Sequence, residues 1–438
     1  MKKILFLLWC AWMPLLLYSE VVVDIDQGQV KPFPLAVLPF QGNTKISEQI
    51  RSVVIEDLER SGFVEVLDPN SYIQTNLDLQ TTPRFEDWKL INSRGLVVGE
   101  VLERGKILTV RFKFWDVYEQ SLSVEFEFKT DMKHWRRIAH LTANKIYKVI
   151  TGEEGYFDTR IIYVSERGPQ KKRIKRLAIM DQDGANHKYL TNGDASVITP
   201  RFSPNSQKIV YMSYETHLRQ AKVHQLDLET GKTSLVGIFE GITYAPRFSP
   251  DGSKVIMSQA YKGSSSLYEV DLATQKAKRL TTDDVIDTSP CYSPDGTEII
   301  FNSDRGGTKQ LYVMSSTGQN IRRISFGGGV YATPVWSPDG EWIAFTKVEN
   351  GQFFIGLMKP DGSEERLIST GFLVEGPTWA PNSRLLVFYN QERWGKNGTG
   401  GKASLYTIHV SGRNKKIIQT PEDATDPAWS PPLPFDQI

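Results

Sequence analysis

Pro246-Arg247-Phe248-Ser249-Pro250-Asp251-Gly252 decides the fold, because the phrase recurs through the C-terminal two thirds of the chain. It returns at Pro290-Cys291-Tyr292-Ser293-Pro294-Asp295-Gly296 and at Pro334-Val335-Trp336-Ser337-Pro338-Asp339-Gly340. Looser copies begin at Pro200, Pro377 and Pro427, so the six copies are separated by 46, 44, 44, 43 and 50 residues. A period in this range means a repeat architecture. In Ser-Pro-Asp-Gly the proline presets φ for a type I turn, Asp suits the next position and Gly supplies a left-handed residue. The phrase therefore predicts a short strand carrying the aromatic, a three-residue hairpin loop and a second strand. Alternating runs such as Lys254-Val255-Ile256-Met257-Ser258 provide that second strand.

Two further strands follow in each interval, and a third precedes the next phrase only as the phrase strand itself. Three strands before Pro200 (Ile161–Ser165, Leu177–Asp181 and His187–Thr191) lack a phrase strand, while Pro427–Pro431 is a phrase strand without its three. Joined, the two ends complete one blade. The bookkeeping predicts six four-stranded blades closed into a β-propeller over 156–438, a ring that leaves only short edges. Proline is expected at the start of each innermost strand, where one side faces the central channel.

Upstream, Leu35–Phe40 reads as a buried strand, and apolar residues at 46, 50, 53, 54 and 58 predict a helix over 46–60 stopped by Ser61-Gly62. Strands are expected at Phe63–Leu67, Leu96–Leu102, Ile107–Val117 and Ser121–Phe128, short helices after Asp68 and near Phe85–Asn92, and a long helix over Met132–Ile150. This order describes an α/β domain, a mixed sheet with packed helices, over 35–155. Residues 20–34 combine a strand-like run with two prolines and read as an arm.

The chain has 438 residues, 40% of them hydrophobic, enough for at least two domains. Net charge is +1, which gives no argument for nucleic acid as a partner. Lys2 and Lys3, an apolar run over 4–17 and Ser19 before Glu20 describe a secretory leader, 1–19. The run falls short of the ~20 residues a membrane span requires, so an anchor is the weaker reading. Cys10 leaves with the leader, and Cys291 alone cannot form an internal disulfide. No integral membrane segment is expected in the exported chain.

Candidate chemistry is sparse. Gly395–Lys402 lacks the spacing of a phosphate loop and reads as a hairpin loop. The six histidines show no metal-ligand spacing, and Asp181-Gln182-Asp183-Gly184 reads as turn chemistry rather than a calcium loop. Lys171–Arg176 reads as a solvated basic loop. Propellers also serve as lids of serine peptidases, but that enzyme reading requires a Gly-x-Ser-x-Gly elbow, which is absent. The residues thus favour a binding protein with no catalytic group, metal or cofactor over a peptidase-related or ligand-binding enzyme.

The leader, the arm, the strand-helix Leu35–Gly62, the segment Tyr147–Phe157 and the six repeats together resemble the TolB family of the Gram-negative Tol–Pal envelope system. The resemblance implies a non-enzymatic periplasmic adaptor that supports outer-membrane integrity and constriction at cell division. It implies capture by TolA through the arm residues Glu20, Val21, Val22, Val23, Asp24, Ile25, Asp26, Gln27 and Gly28. It also implies docking of the lipoprotein Pal on loops leading into the inner strands, here Ile242, Thr243, Tyr244 and Ala245 before Pro246, and Thr288 and Ser289 before Pro290. Ala245 and Thr288 fit the family pattern, whereas Ile242 and Tyr244 replace residues usually more polar. Other outer-membrane proteins are further partners that the resemblance leaves open.

Overall fold

In a computed structural model the chain is described over residues 31–42, 44–169, 172–215, 220–282, 284–393 and 401–434. The expected leader, the arm residues Glu20–Gly28 and most of the Gly395–Lys402 loop lie outside the described residues.

The N-terminal elements are β1 (Phe33–Val37), β2 (Gln41–Gly42), α1 (Thr44–Ser61), β3 (Val64–Val66), α2 (Phe85–Leu90), β4 (Gly95–Arg104), β5 (Ile107–Asp116), β6 (Ser121–Asp131) and α3 (Trp135–Thr151). The sheet runs β3-β1-β4-β5-β6 with β2 on β4; β1, β2 and β3 pair in parallel and β4, β5 and β6 antiparallel. The apolar spacing read in α1 buries Ile50, Val53, Val54 and Leu58 against one face of this sheet, together with α3. Trp88 of α2 and Tyr72 cover the other face. Left-handed Gly62 and Gly152 end α1 and α3, Gly152 donating its N–H to the Lys148 carbonyl at 2.8 Å. The first strand starts earlier than expected, at Phe33. Phe33 and Pro34, assigned to the arm by sequence, pair with Val64 and Glu65.

Six four-stranded antiparallel sheets follow. The closing blade is the split one: Asp423–Trp429 forms its inner strand beside β7 (Arg160–Arg167), β8 (Ile174–Asp181) and β9 (Lys188–Tyr189). Four of the phrases close the predicted turn with a backbone bond, Gly252 to Ser249, Gly296 to Ser293, Gly340 to Ser337 and Ser383 to Ala380, while the sixth copy ends the ring without a hairpin. At the second blade the Gly252 N–H reaches the Ser249 carbonyl at 2.9 Å, with Gly252 at φ 72°. Asp251 accepts from the Ser249 hydroxyl at 2.5 Å and from the Ser253 hydroxyl at 2.7 Å, and these bonds lower its pKa to about 2.

Two expectations need correction. The phrase proline does not open the inner strand; Pro246 lies inside Ile242–Phe248, and the other five occupy the same place. The residue before it is left-handed in every blade: Thr199, Ala245, Ser289, Thr333, Gly376 and Asp426 all have φ between 46° and 65°. The register shifts at each, so the proline, which has no N–H to give, sits at a β-bulge. Nor is the basic run a free loop. Of its described residues, Ile174, Lys175 and Arg176 belong to β8, and Arg173 and Lys175 pair with Glu166 at 2.8 Å.

The α/β part and the propeller share a core. Tyr147, Tyr156 and Phe157 pack with Trp429, Tyr389 and Ala380 in one continuous buried cluster. Among the described residues no helix is long and apolar enough to cross a membrane.

Candidate functional site: the open end of the propeller

Antiparallel meanders place the phrase turns and the third turn of each blade at one end of the ring. The second turn and the links between blades lie at the other. The α/β part occupies the first end. Glu153 pairs with Arg384 in the fifth phrase turn at 2.8 Å, and Asn414 of the last turn of that blade donates to the Arg60 carbonyl at 2.9 Å. The third contact is a buried polar knot from three distant segments. His140 Nδ1 of α3 lies 2.6 Å from Asp57 Oδ2 of α1, and Gln182 Nε2 of the β8–β9 turn donates to Asp57 Oδ1 at 2.7 Å. Asp183 and Arg136 are paired beside it.

Burial by itself would lower the His140 pKa, but the charge of Asp57 and the carboxylates of Asp181 and Asp183 push it up to about 10. Asp57, His140 and Asp183 are close enough to suggest metal ligands. His140 Nδ1 is bonded to Asp57, Asp57 also to Gln182, and Asp183 to Arg136, and a histidine held protonated has no lone pair for a cation. The cluster is a clamp between helices and propeller. Sequence spacing missed it because its members stand 83 and 125 residues apart.

The opposite end carries the apolar surface. Ile238 is 93% exposed and Phe326 73%, and Ile242, Tyr261, Ile286 and Phe372 are each more than a third exposed. All six lie on links between blades, on second turns, or at the start of an inner strand. Large apolar side chains exposed at one end of a ring make that end a candidate docking surface. The channel mouth between them is a cavity of about 180 Å³, lined by the left-handed ring residues with Tyr244, Arg201, Arg247 and Glu375.

The structure brings the six sequence-predicted propeller residues to this end, in strands rather than loops: Ile242–Ala245 within Ile242–Phe248, Thr288 and Ser289 within Asp287–Tyr292. Ile242 is exposed, Thr243 is buried at 3% and faces the blade interior. Tyr244 is half-buried, and its hydroxyl is 2.8 Å from Ser265 Oγ, which spends its own proton on the Asp287 carbonyl at 2.9 Å, so Tyr244 donates. Burial raises the Tyr244 pKa, keeping the donor in place. Thr288 Oγ1 accepts from Asn302 at 2.6 Å, and the Ser289 N–H donates to Ser258 Oγ at 3.1 Å. Ala245 and Ser289 line the mouth. Ile238, Tyr261, Ile286, Phe326 and Phe372 went unread, although Phe326, beside three glycines in an inter-blade link, is an aromatic where only exposure is available.

Comparison with known proteins fits this division. A family model described as the TolB beta propeller domain matches residues 147–433, and one described as the TolB amino-terminal domain matches residues 21–122. The chain belongs to the TolB family. It is 54% identical to the Tol-Pal system protein TolB of Paramagnetospirillum magneticum over 95% of this chain and 94% of that one. The crystal structure of TolB from Acinetobacter baumannii superposes with a TM-score of 0.82 at 27% identity, covering 92% of this chain and 97% of that one. Kuenenia stuttgartiensis hydrazine synthase is similar over 64% of this chain and 47% of its own, with a TM-score of 0.51; at 13% identity that likeness is of fold alone.

Proposed function

We propose that this TolB-family protein is a non-enzymatic periplasmic adaptor of the Tol–Pal system, exported by the leader 1–19. In this reading Pal docks on the open end of the propeller, TolA captures the arm within 20–34, and the α/β part, 35–155, joins the arm to the ring, 156–438. Its roles are outer-membrane integrity and constriction at division. The observation that carries it is the apolar surface around the channel mouth, on the end that the α/β part leaves uncovered. Tyr244, anchored through Ser265 to the next blade, has the fixed geometry of an interface anchor, a class whose truncation costs ~2 kcal/mol or more. The run Glu20–Gly28 alternates as a strand that could add to a partner's sheet.

Titration calorimetry tests both contacts. Tyr244→Ala and Thr288→Arg should weaken Pal binding at least ~30-fold while leaving TolA binding intact. Removal of residues 20–28 should abolish TolA binding and leave the melting curve in place. Wild-type Pal affinity in both point variants would place the docking surface elsewhere.

A further inference from the structure

The end of the channel beneath the phrase turns holds a second cavity that the docking reading does not use. Its volume is about 430 Å³, within the range of small-molecule sites. Its wall is the ring of phrase aromatics: Phe202, Phe248, Tyr292, Trp336, Trp379 and Trp429. Their polar tips are satisfied elsewhere. The three indole N–H groups donate to the Gly340 carbonyl at 3.1 Å, the Val335 carbonyl at 3.0 Å and Thr159 Oγ1 at 2.8 Å, and the Tyr292 hydroxyl donates to Glu269 at 2.6 Å. The aromatic ring of the wall therefore presents its apolar rings, with these polar tips already engaged.

Only two lining residues are charged, Arg201 and Arg247, and both also line the mouth cavity on the far side, so they form the constriction between the two. Arg201 is 9% exposed, and one guanidinium nitrogen donates to the Pro200 carbonyl at 2.6 Å. Among the described residues neither arginine forms an ion pair. Asp426, the acid that acts on Arg201 through space, is instead within 3.3 Å of the Thr199 N–H. Burial, with Arg247 alongside, lowers the Arg201 pKa to about 9, and burial lowers that of Arg247. Two like charges side by side at a constriction, with no carboxylate at ion-pair distance among the described residues, are costly to hold, and charges withdrawn from water are as a rule paired. A guanidinium pair is matched by a carboxylate, which accepts several N–H bonds in one plane.

We propose that this cup binds a small apolar carboxylate, its anionic head on Arg201 and Arg247 and its body against the aromatic wall. The site lies at the opposite end of the channel from the docking surface, so it stands whether or not Pal docks there.

Benzoate is the probe, with neutral benzamide and inorganic sulfate as controls at equal ionic strength. The readouts are the melting temperature and the change in intrinsic tryptophan fluorescence, to which Trp336, Trp379 and Trp429 of the wall contribute. Benzoate should bind saturably and raise the melting temperature. Benzamide and sulfate should each bind at least about tenfold more weakly, since each lacks half of the recognition, and Arg247→Met should lose at least about tenfold in benzoate affinity. Without ligand, Arg247→Met should melt no lower than the wild type, because it removes one of two adjacent like charges. Equal response to benzoate and benzamide, sulfate binding as tightly as benzoate, undiminished benzoate binding by Arg247→Met, or no saturable response up to the solubility limit would each overturn the assignment. Should that variant fail to fold, wild-type crystals soaked in 4-bromobenzoate decide. Anomalous bromine density inside the cup supports the site, and its absence there refutes it.

Discussion

Replacing His140 by Gln should uncouple the propeller from the helices in a manner that depends on pH. The wild-type imidazolium is clamped by Asp57 at 2.6 Å, with Asp181 at 3.8 Å, and Asp57 in turn holds Gln182 of the closing blade. Its pKa of about 10 in the folded chain stands against an ordinary 6.5. At 1.36 kcal/mol per unit the difference is on the order of 5 kcal/mol, and the measured cost of breaking buried pairs is about 3–5 kcal/mol. Because the folded pKa is raised, this stabilisation is fully present below pH 6.5, where both states carry the proton. As pH rises from 6.5 toward 10 the unfolded chain releases a proton that the folded chain retains, and stability falls by about 1.4 kcal/mol per unit. Urea unfolding of wild type and His140→Gln, followed by tryptophan fluorescence at pH 6, 7, 8 and 9, reads this directly. The variant should be less stable by about 3–5 kcal/mol at pH 6, the gap closing steadily toward pH 10. A gap that stays constant across the range, or one below about 1 kcal/mol at pH 6, would mean that His140 is not held as a cation and would refute the reasoning.

Deleting residues 424–438 should remove most of the inner strand Asp423–Trp429 and lower the melting temperature by about 10 °C or more, since buried Trp429 and the pairing of β7 are lost together. A full-length melting profile from the truncated chain would mean that the ring is closed otherwise. Thr199→Gly should stabilise the protein by about 1 kcal/mol in chemical denaturation, because Thr199 is held at φ 50° with a buried hydroxyl that has no partner; a loss of stability would show the bulge to need its side chain. By contrast Thr333→Gly, at φ 46°, should gain less, since Thr333 Oγ1 donates to Thr346 Oγ1 at 2.9 Å and that bond is forfeited; an equal gain in both variants would sink the distinction.

The propeller was legible because its information is local. Each Ser-Pro-Asp-Gly turn is specified by four adjacent residues, and counting strands between turns was enough to assign the split blade. The bulges were not legible. A proline after a polar residue looks like the start of a strand, and only the left-handed Thr199, Ala245, Ser289, Thr333 and Asp426 reveal that the strand has already run several residues. For the same reason Ile242–Ala245 read as a loop. The buried clamp fails differently: Asp57, His140 and Gln182 are individually unremarkable polar residues, and no spacing rule joins a helix, another helix and a hairpin turn. The exposed apolar side chains at the open end were only partly legible: Ile242 is among the residues that the resemblance named, while Ile238 and Phe326 required knowledge of which end of the ring is left open.

The split blade also sets a clock. The Arg160 N–H closes onto Ser430 Oγ at 2.8 Å across 270 residues of chain. At about 5–20 residues per second of synthesis, β7 waits roughly 15–50 s for the strand that completes its sheet. Throughout that interval it presents a row of unpaired N–H and C=O groups, an edge open to mispairing. The ring cannot seal until its last strand is made, so in a partly synthesised chain the edge of β7 is where mispairing is most exposed.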